Sequence, residues 1–395
     1  MCILITVFWY IDFLFFIAFA LWVGYVVLFA FASRIKPKIN FPQAEPLARF
    51  AILFPAYKED NVIKESVISF KAQDYPIDRF EIVVISDAME DATNDHLRRL
   101  GVSLIHPTGT ERSKAAALTT AMSQLDAQLF DVVVVMDADN IVFPDFLSKL
   151  NNAFTCGAKA IQTHRTAKNN TTATAILDGV SEEINNSIFR LGHARLGLPA
   201  ALIGSGMAFD FNWFKQRIVQ IKSMGEDKFL EYFLLMDRIN TTYLEDVVIL
   251  DEKIQYSDDF SKQRRRWIAS QIDIFCHAIK QTRSAIFTGN WPLIDKIFQW
   301  SMPPRIIMLG IIPLFFLGSL FASDISSFKW GFLIILYVMG LALAVPKKLY
   351  TTQLLWAIFS LPRIFLAMMS SIIHFRSGRS TFIHTEHGAL PNKQK

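Results

Sequence analysis

Long apolar stretches without charged residues lie near both ends of the chain. The first covers residues 13–33, and two more cover 306–323 and 330–346. About 20 residues of α-helix are enough to cross the hydrocarbon core of a bilayer. The pattern therefore predicts an N-terminal transmembrane anchor at 1–33 and a transmembrane helical hairpin at 306–346.

Clusters of basic residues predict how these segments are oriented. Arg34, Lys36 and Lys38 follow the first stretch directly. Lys347 and Lys348 follow the third. A cleaved signal peptide carries its positive charge before the apolar run, so the first stretch is interpreted as an uncleaved anchor. Because positive charge stays on the cytoplasmic side, the N-terminus is placed outside, and a multi-pass protein of the plasma (inner) membrane is predicted.

A shorter segment before the hairpin has a mixed character. Residues 284–305 contain Trp291 and Trp300, with a single lysine, Lys296, between them. Aromatic and aliphatic anchors combined with a cation are typical of a helix that lies in the membrane surface. We therefore predict an interfacial helix at 284–305.

The last apolar stretch is less regular. Residues 349–375 are interrupted by Pro362 and Arg363, and basic residues lie on both sides. Positive charge at both ends argues against a simple crossing. The region 347–395 is therefore open to three interpretations, an interfacial, a re-entrant or a fourth transmembrane segment, followed by a cytoplasmic tail.

Between the membrane segments, short apolar runs alternate with amphipathic stretches of helical spacing. Such alternation is typical of a doubly wound, mostly parallel α/β sheet. We assign residues 34–283 to one cytoplasmic domain of this class. Strands are predicted at 50–54, 81–85, 102–105, 130–136, 159–162 and 201–203, with helices at 62–73, 91–100 and 113–125.

Composition supports the membrane assignment and narrows the partners. The chain is 52% hydrophobic and 19% charged, with a mean hydropathy of +0.30, so a lipid bilayer is an expected partner. The cysteines Cys2, Cys156 and Cys276 show neither metal-ligand spacing nor a disulfide framework, which suits a reducing compartment. A net charge of only +4 gives no reason to expect nucleic acid as a partner.

Two aspartates at the end of the valine-rich run are the first chemical signal. Asp137 and Asp139 follow residues 130–136, which have the pattern of a buried parallel strand. Ligands of open α/β sheets bind just beyond the carboxyl ends of the strands. Two carboxylates one residue apart at that place are able to hold a divalent cation against a diphosphate.

Further motifs occur in a fixed order around these aspartates. They are Phe54-Pro-Ala-Tyr-Lys-Glu-Asp60, Ile85-Ser-Asp-Ala-Met-Glu-Asp-Ala-Thr93, Ser113-Lys-Ala-Ala-Ala-Leu118, Asp137-Ala-Asp139, Gly225-Glu-Asp227 and Gln263-Arg-Arg-Arg-Trp267. Together they resemble the motifs of membrane-bound family 2 glycosyltransferases, the group of cellulose, chitin and hyaluronan synthases, over roughly residues 50–310. Three positions depart from the usual motifs: Lys58 replaces Asn, Ser113 replaces Gly and Gly225 replaces Thr.

The resemblance implies a GT-A-like fold and metal-dependent transfer from a UDP-sugar. In such a site, Asp139 and Asp137 hold Mg²⁺ or Mn²⁺ against the diphosphate. A cation offsets the negative charge that develops as the diphosphate leaves. Lys114, Arg266 and Gln263 are implied as further diphosphate contacts.

The resemblance also implies which residues bind the base of the donor and which residue binds the acceptor sugar. Asp87 is implied to hydrogen-bond the uracil base, and Tyr57 to line the same pocket. Pro55 and Glu59, from the motif that contains Tyr57, are included in the donor site. Trp267 is expected to stack on the acceptor sugar, since an indole face matches the C–H face of a pyranose.

Asp227, with Glu226 beside it, is implied as the catalytic group. An acceptor hydroxyl needs a carboxylate within hydrogen-bond reach to take its proton during attack. Attack opposite the diphosphate inverts the anomeric centre, so an α-linked donor yields a β-linkage. Asp246, which also follows a glutamate, is a competing candidate that lies closer in sequence to Gln263.

Three functions are compatible with these patterns. The first is a processive synthase that extends a β-linked polysaccharide, with an oligomer or a partner pore protein supplying an exit path. The second is transfer of a single sugar to a membrane lipid, as in enzymes like ceramide glucosyltransferase. The third is a transporter or an inactive nucleotide-binding module, which would release no UDP.

Overall fold

The middle of the chain folds into an eight-stranded sheet. The computed structural model describes residues 2–35, 41–107, 112–223, 225–253, 257–321 and 326–373. The strands stand in the order β3-β2-β1-β4-β7-β6-β8-β5. They are β1 (Phe50–Tyr57), β2 (Phe80–Asp87), β3 (Ser103–Ile105), β4 (Val132–Val135), β5 (Ile141–Val142), β6 (Ala160–Ala167), β7 (Met207–Asp210) and β8 (Thr241–Asp251).

The sheet is mixed, although six of its eight strands run in one direction, as expected of a mostly parallel sheet. Strands β1 to β4 pair in parallel, as do β6 and β8, but β7 is antiparallel to both of its neighbours. β5 is antiparallel to β8. The long excursion over residues 168–206 leaves and re-enters the sheet at the carboxyl edge. The next strand, β7, must therefore run back in the opposite direction.

Sixteen α-helices surround or leave this sheet within the described part of the chain. A π-helix, Asn186–Gly192, joins α6 to α7, and short 3₁₀ turns cover Ile77–Arg79, Ile279–Gln281 and Lys347–Leu349. The α-helices are α1 (Cys2–Ala32), α2 (Ile63–Lys71), α3 (Asp91–Arg99), α4 (Lys114–Gln124), α5 (Phe146–Thr155), α6 (Ala173–Asn185), α7 (His193–Arg195), α8 (Phe211–Ile218), α9 (Glu226–Met236), α10 (Ser257–Ala278), α11 (Thr282–Phe287), α12 (Trp291–Ser301), α13 (Arg305–Ser319), α14 (Ser327–Ala344), α15 (Thr352–Ile358) and α16 (Leu361–Ile373).

Strand alternation divides the core into two layers. Phe50, Ile52 and Phe54 of β1 point to one face and pack with α2 and α5. Ala51 and Leu53 point to the other face and pack with α4, α8 and α9. Because successive side chains of a strand point to opposite faces, the fully apolar run of β1 is explained by burial on both sides.

The predicted strand at 201–203 does not form. No described strand of the sheet pairs with residues 201–203. Ala201 N donates to Phe189 O of the π-helix at 2.9 Å, and side chains accept from the next two backbone N–H groups. Leu202 N donates to Glu231 Oε1 at 3.1 Å, and Ile203 N donates to Gln162 Oε1 at 3.0 Å. The apolar pattern that predicted a strand thus reflects burial of a loop whose polar groups are paired with buried side chains.

Two described helices are long and apolar enough to cross a membrane, namely Trp9–Ala32 within α1 and Ser327–Ala344, which is α14. A third crossing is counted if α12 and α13, which meet at a 63° bend, form one broken span. α13 is shorter than the predicted 306–323 segment. The last apolar stretch forms the two short helices α15 and α16, and its membrane placement remains a prediction.

Contacts at both ends show that α1 and α14 run in the same direction. Near their starts, Asp12 is ion-paired with Lys329 and accepts a hydrogen bond from Trp330 Nε1 at 2.8 Å. Near their ends, Arg34 donates to the backbone oxygens of α14's last turn, including Val345 O at 3.0 Å. Parallel orientation of the anchor and of the second hairpin helix agrees with the topology predicted from the basic clusters.

α6 and the π-helix connect the sheet to these apolar helices. Arg305, the first residue of α13, donates to Ser181 Oγ at 2.8 Å and to Asn185 Oδ1 at 2.7 Å. Ser187 Oγ donates to Ala344 O at the end of α14 at 2.6 Å. The excursion between β6 and β7 is therefore a part of the domain that lies against the apolar helices.

Replacement of Gly192 by alanine should destabilise the protein. A methyl group at Gly192 would overlap the backbone carbonyl of Phe29 in α1, and a backbone atom cannot rotate away. Overpacking of a close contact costs roughly 1–3 kcal/mol. Thermal unfolding of the purified protein in detergent should therefore show a lower Tm for Gly192→Ala.

Gly24→Ala is the matched control, because nothing lies within 4 Å of a methyl group added at Gly24. Its Tm should equal or exceed that of the wild type, since alanine favours helix more than glycine. Equal Tm values for the two variants would contradict the close packing of the π-helix on α1.

Candidate active site

The carboxyl ends of β1 and β2 bring the predicted donor residues together. β1 ends at Tyr57 and β2 ends at Asp87, and the two are direct neighbours in the parallel ladder. The Tyr57 hydroxyl accepts a hydrogen bond from Arg112 Nη1 at 3.1 Å. Pro55 lies within β1, and Glu59, in the turn that follows, is only 9% exposed. A phenol ring and a carboxylate thus stand side by side at the sheet edge.

The two aspartates after β4 have different surroundings. Asp137 is ion-paired with Lys114, and its Oδ2 lies 3.7 Å from Arg165 Nη1. Asp139 is 5% exposed, and its Oδ2 accepts a hydrogen bond from the backbone N of Glu252 at 2.9 Å. Two cations therefore hold Asp137, whereas the loop after β8 orients Asp139.

Lys114 joins the segments that the motifs predicted to be functional. Its Nζ contacts Asp137, donates to Gly204 O at 2.7 Å and lies 3.5 Å from Glu226 Oε1. Burial lowers the pKa of the ammonium, but Asp137 and Glu226 more than reverse this effect and hold the pKa above its usual range. Lys114 is therefore charged in this site at any physiological pH.

Glu226 and Asp227 open helix α9 beside this lysine. Burial raises the pKa of Glu226 to about 7; Lys114 opposes this rise and Asp227 adds to it. Asp227 is more open, with a side chain 21% exposed, and its Oδ2 lies 3.8 Å from Lys228 Nζ. The two carboxylates thus differ, one being buried against a cation and the other facing outward.

Helix α10 contains the last motif and lies beside the start of α9. Burial lowers the pKa of Arg266, and the nearby carboxylate of Glu226 opposes that shift. Trp267, the next residue, is 39% exposed, so its indole is available to a ligand. Gln263 lies on the same helix and is partly buried. The structure thus brings Arg266 into electrostatic contact with the acidic start of α9.

Asp246, the competing base candidate, lies elsewhere. It is on β8, with its side chain 47% exposed, and its Oδ2 is 3.7 Å from Lys149 Nζ in α5. α5 packs on the face of the sheet opposite to α9. Geometry therefore favours Asp227 over Asp246 as the residue that meets an acceptor near Lys114.

The three departures from the family motifs each have a local structural setting. Lys58 adopts a φ of +55°, a left-handed conformation that Asn tolerates more easily. Ser113 is the N-cap of α4, and its Oγ accepts from Ala116 N at 3.1 Å. At Gly225, a Cβ would come within 2.7 Å of Ser270 Cβ in α10. The glycine therefore permits close approach of α10 to α9.

Residues near Asp137 that sequence patterns did not single out form a buried ionic network. Arg165 Nη2 donates to Glu182 Oε2 at 3.0 Å, and its Nη1 lies 3.7 Å from Asp251 Oδ1. Lys253 Nζ donates to Asp251 Oδ2 at 2.7 Å. Asp251 is the last residue of β8, much as Asp137 closely follows β4. A carboxylate at the end of an apolar strand was therefore a sequence signal that could have identified Asp251.

The raised pKa of Glu226 predicts a pH dependence of stability. The unfolded chain ionises this side chain at an ordinary pKa of about 4.3. The folded protein does so at about 7. The contribution of Glu226 to the free energy of unfolding is therefore largest below its pKa in the unfolded chain. It is lost as the pH rises from that pKa through the pKa in the folded protein. Glu226→Gln removes this decline, because the amide stays neutral.

The test compares the Tm of wild type and Glu226→Gln in EDTA at about pH 5.5 and about pH 8. Both pH values lie above the ordinary pKa of the unfolded chain, so the Gln variant should exceed the wild type at both, and by a larger margin at the higher pH. A constant difference between the two proteins would show that Glu226 ionises normally.

Comparison with known proteins supports the sugar-transfer interpretation. Residues 48–270 match the family described as "Glycosyltransferase like family 2". A probable glycosyltransferase of Bacillus subtilis, YdaM, is 29% identical over 101 residues, which is 24% of this chain and 23% of the relative. The catalytic subunit of a UDP-forming cellulose synthase from Pseudomonas fluorescens is 25% identical over 128 residues, 31% of this chain and 17% of the relative. The matched segments thus span less than a quarter of either relative.

A solved structure is similar over nearly the full length. The mannosyltransferase PcManGT from Pyrobaculum calidifontis, in complex with GDP-mannose and Mn²⁺, superimposes with a TM-score of 0.60 at 18% identity. The similarity covers 91% of this chain and 98% of that protein. It confirms the expected GT-A-like α/β fold. Because the family match spans more than half of the chain, this protein belongs to the family 2 glycosyltransferases.

Proposed function

We propose that this enzyme transfers a sugar from a UDP-sugar, with inversion, to an acceptor at the cytoplasmic face of the plasma (inner) membrane. The contact of Lys114 with both Asp137 and Glu226 is the observation that supports this most. It joins the donor motif and the catalytic motif across one cleft. A nucleotide-sensing module would not require two adjacent carboxylates on the far side of its diphosphate site.

Asp139 and Asp137 are the residues that would hold Mg²⁺ or Mn²⁺. Among the described residues, no three His, Cys, Asp or Glu side chains converge on one point. This sparse set fits a cation that completes its shell with phosphate oxygens, as Mg²⁺ commonly does. Such an ion offsets the charge of the departing diphosphate. The similar mannosyltransferase was solved with Mn²⁺.

The neighbouring ends of β1 and β2 form the proposed base pocket. Asp87 would accept a hydrogen bond from the N–H of uracil, and Tyr57 would cover the ring. Pro55 and Glu59 shape the same turn. The name of the cellulose synthase relative includes "UDP-forming", whereas the mannosyltransferase carries GDP-mannose. We assign UDP because a single carboxylate matches the one ring N–H of uracil.

Asp227 is the proposed general base. Its side chain is more exposed than that of Glu226, which is paired with Lys114. An acceptor hydroxyl beside Asp227 would lose its proton to the carboxylate as it attacks the anomeric carbon. Lys114, Gln263 and Arg266 would contact the diphosphate on the opposite side, and an α-linked donor would yield a β-linked product.

A membrane lipid is the acceptor that the geometry favours. The described apolar helices α1, α13 and α14 pack directly on one another around Trp330 and Tyr337, which are at most 1% exposed. Side chains therefore fill the space between these helices. A lipid hydroxyl would reach the cleft from the bilayer surface without a passage through them.

Processive synthesis of a β-linked polysaccharide is the second candidate. Gln263 to Trp267 matches the motif of processive synthases in full, and one segment is similar to a cellulose synthase subunit. Because the three helices fill their own interface, a polymer would need an exit path formed by an oligomer or by a partner pore protein.

Product length separates the two candidates. Purified protein in lipid nanodiscs is incubated with radiolabelled UDP-glucose, UDP-N-acetylglucosamine or GDP-mannose, with and without a lipid extract, in Mn²⁺ or EDTA. We expect a lipid product bearing one sugar, from a UDP-sugar, that is lost in EDTA. Polymer formed without added lipid would replace this proposal by the processive one. Absence of transfer from every donor would refute both.

Asp227→Asn should abolish turnover while sparing UDP binding. Loss of a positioned general base typically costs about 10²–10⁴-fold in rate. The carboxamide keeps the shape of the side chain, so the Kd for UDP with Mn²⁺, measured by calorimetry, should not change. Asp246→Asn is the matched control and should keep full activity. Full activity of Asp227→Asn would overturn the base assignment.

A further inference from the structure

Helix α12 presents two different faces. Trp291, at its start, is 63% exposed, and Phe287, at the end of α11, is 78% exposed. On the opposite face, Leu293, Ile297 and Trp300 are buried and pack against α9 and α10. Another side of α12 contacts the apolar helix α1, because the rings of Phe298 and Tyr25 lie 5.3 Å apart and Trp22 Nε1 donates to Ser301 Oγ at 3.4 Å. α12 therefore lies between α1 and the catalytic domain.

The supporting face contains a buried charge. Lys296 is 1% exposed, and its Nζ lies 3.0 Å from Glu231 Oε1 of α9, which is 2% exposed. The free energy needed to remove two charges from water often exceeds the free energy of attraction between them. Such a pair therefore contributes little to the free energy of unfolding. The same principle allows a different role, because a buried pair fixes how two elements fit together.

Glu231 also contacts the segment beside the cleft. Its Oε1 accepts a hydrogen bond from Leu202 N at 3.1 Å, and Leu202 O accepts one from Lys228 Nζ at 3.4 Å. Two residues further on, Gly204 O binds Lys114. The Glu231 carboxylate, which is paired with Lys296 of α12, thus connects α9 to the 202–204 segment.

Glu231 lies one helical turn after Asp227. Residues four apart share one face of a helix, so a shift of Glu231 moves Asp227 with it. α12 itself is tied to the membrane anchor, because Asp295 accepts a hydrogen bond from the Tyr25 hydroxyl of α1 at 3.0 Å. Asp295 Oδ2 also lies 3.3 Å from His193 Nε2, next to the π-helix. A continuous set of contacts therefore runs from α1 through α12 to the start of α9.

We infer that Lys296 and Glu231 are positioning residues through which α12, held against α1, sets the place of Asp227 in the cleft. The inference rests on the proposed role of Asp227 as general base. Neither residue touches the donor. The pair is expected to affect the rate of transfer and not the affinity for the nucleotide.

A double-mutant series separates positioning from simple stabilisation. Lys296→Met leaves Glu231 buried without its cation, so both Tm and kcat should fall. Misplacement of a catalytic group by about 1 Å costs about 100-fold in rate, so we expect a fall in kcat of about 10- to 100-fold with an unchanged Kd for UDP in Mn²⁺. The double variant Lys296→Met/Glu231→Gln buries no unpaired charge, and its Gln keeps an acceptor for Leu202 N. Its Tm should recover towards wild type while its kcat stays low.

Two results would overturn the inference: a wild-type kcat in Lys296→Met, or a kcat of the double variant that recovers together with its Tm. Lys149→Met is the matched control. It removes a lysine that is paired with Asp145 on the opposite face of the sheet, and it should leave kcat unchanged.

Hydrogen exchange provides a readout that does not need activity. Lys296→Met should increase amide exchange in α9 and in residues 198–206, with no change in α5. Unchanged exchange in α9 would refute the coupling even if no acceptor has been found. Failure of the proposed function is recognised separately, because the wild type would then transfer no sugar or Asp227→Asn would remain active.

Discussion

The ammonium of Lys114 is the interaction on which this site depends. It contacts Asp137 after β4, Gly204 O in the excursion before β7, and Glu226 at the start of α9. These groups come from three distant parts of the chain, and the buried ones, Gly204 O and the Glu226 carboxylate, would be costly to leave without a partner. Their common partner makes them mutually dependent, so the donor side and the catalytic side of the cleft form as one unit.

A second set of buried charges extends this unit towards the apolar helices. Arg165 lies between Asp137 and Glu182, and Glu182 Oε1 accepts from Arg190 Nη1 of the π-helix at 3.2 Å. Burial raises the pKa of Glu182, but the surrounding cations reverse this and hold the pKa far below its usual range. Carboxylates and cations are thus balanced within the protein, which keeps α6 and the π-helix fixed relative to the sheet. The same helices contact α1, α13 and α14, so Asp137 and the apolar helices are joined by one continuous set of contacts.

The excursion between β6 and β7 shows why part of the fold was not predictable from the sequence. Its residues 201–203 have the apolar pattern of a strand, yet their backbone pairs with Gln162 and Glu231. The local hydrophobic pattern indicates that a segment is buried. It does not indicate which polar groups, distant in sequence, will form hydrogen bonds with the buried backbone. The direction of β7 has the same origin, since it depends on where the excursion re-enters the sheet. The sequence did not predict a role for Asp251 and Lys253, because both belong to an ionic network with Arg165. Arg165 lies on β6 and Asp251 on β8, and these strands become neighbours only in the folded sheet.

What the sequence by itself determined is the set of local features. Charge-free apolar stretches, the basic clusters after them, the strands β1 to β4 and the carboxylates at strand ends all follow from hydropathy, periodicity and short-range chemistry. Motif order along the chain was sufficient to indicate the family. Only the tertiary structure decided which carboxylate meets which cation, that Asp246 lies on the face opposite α9, and that Lys296 is buried against Glu231. Those outcomes depend on free energies of burial and pairing between residues far apart in sequence, and such terms exist only once the chain has folded.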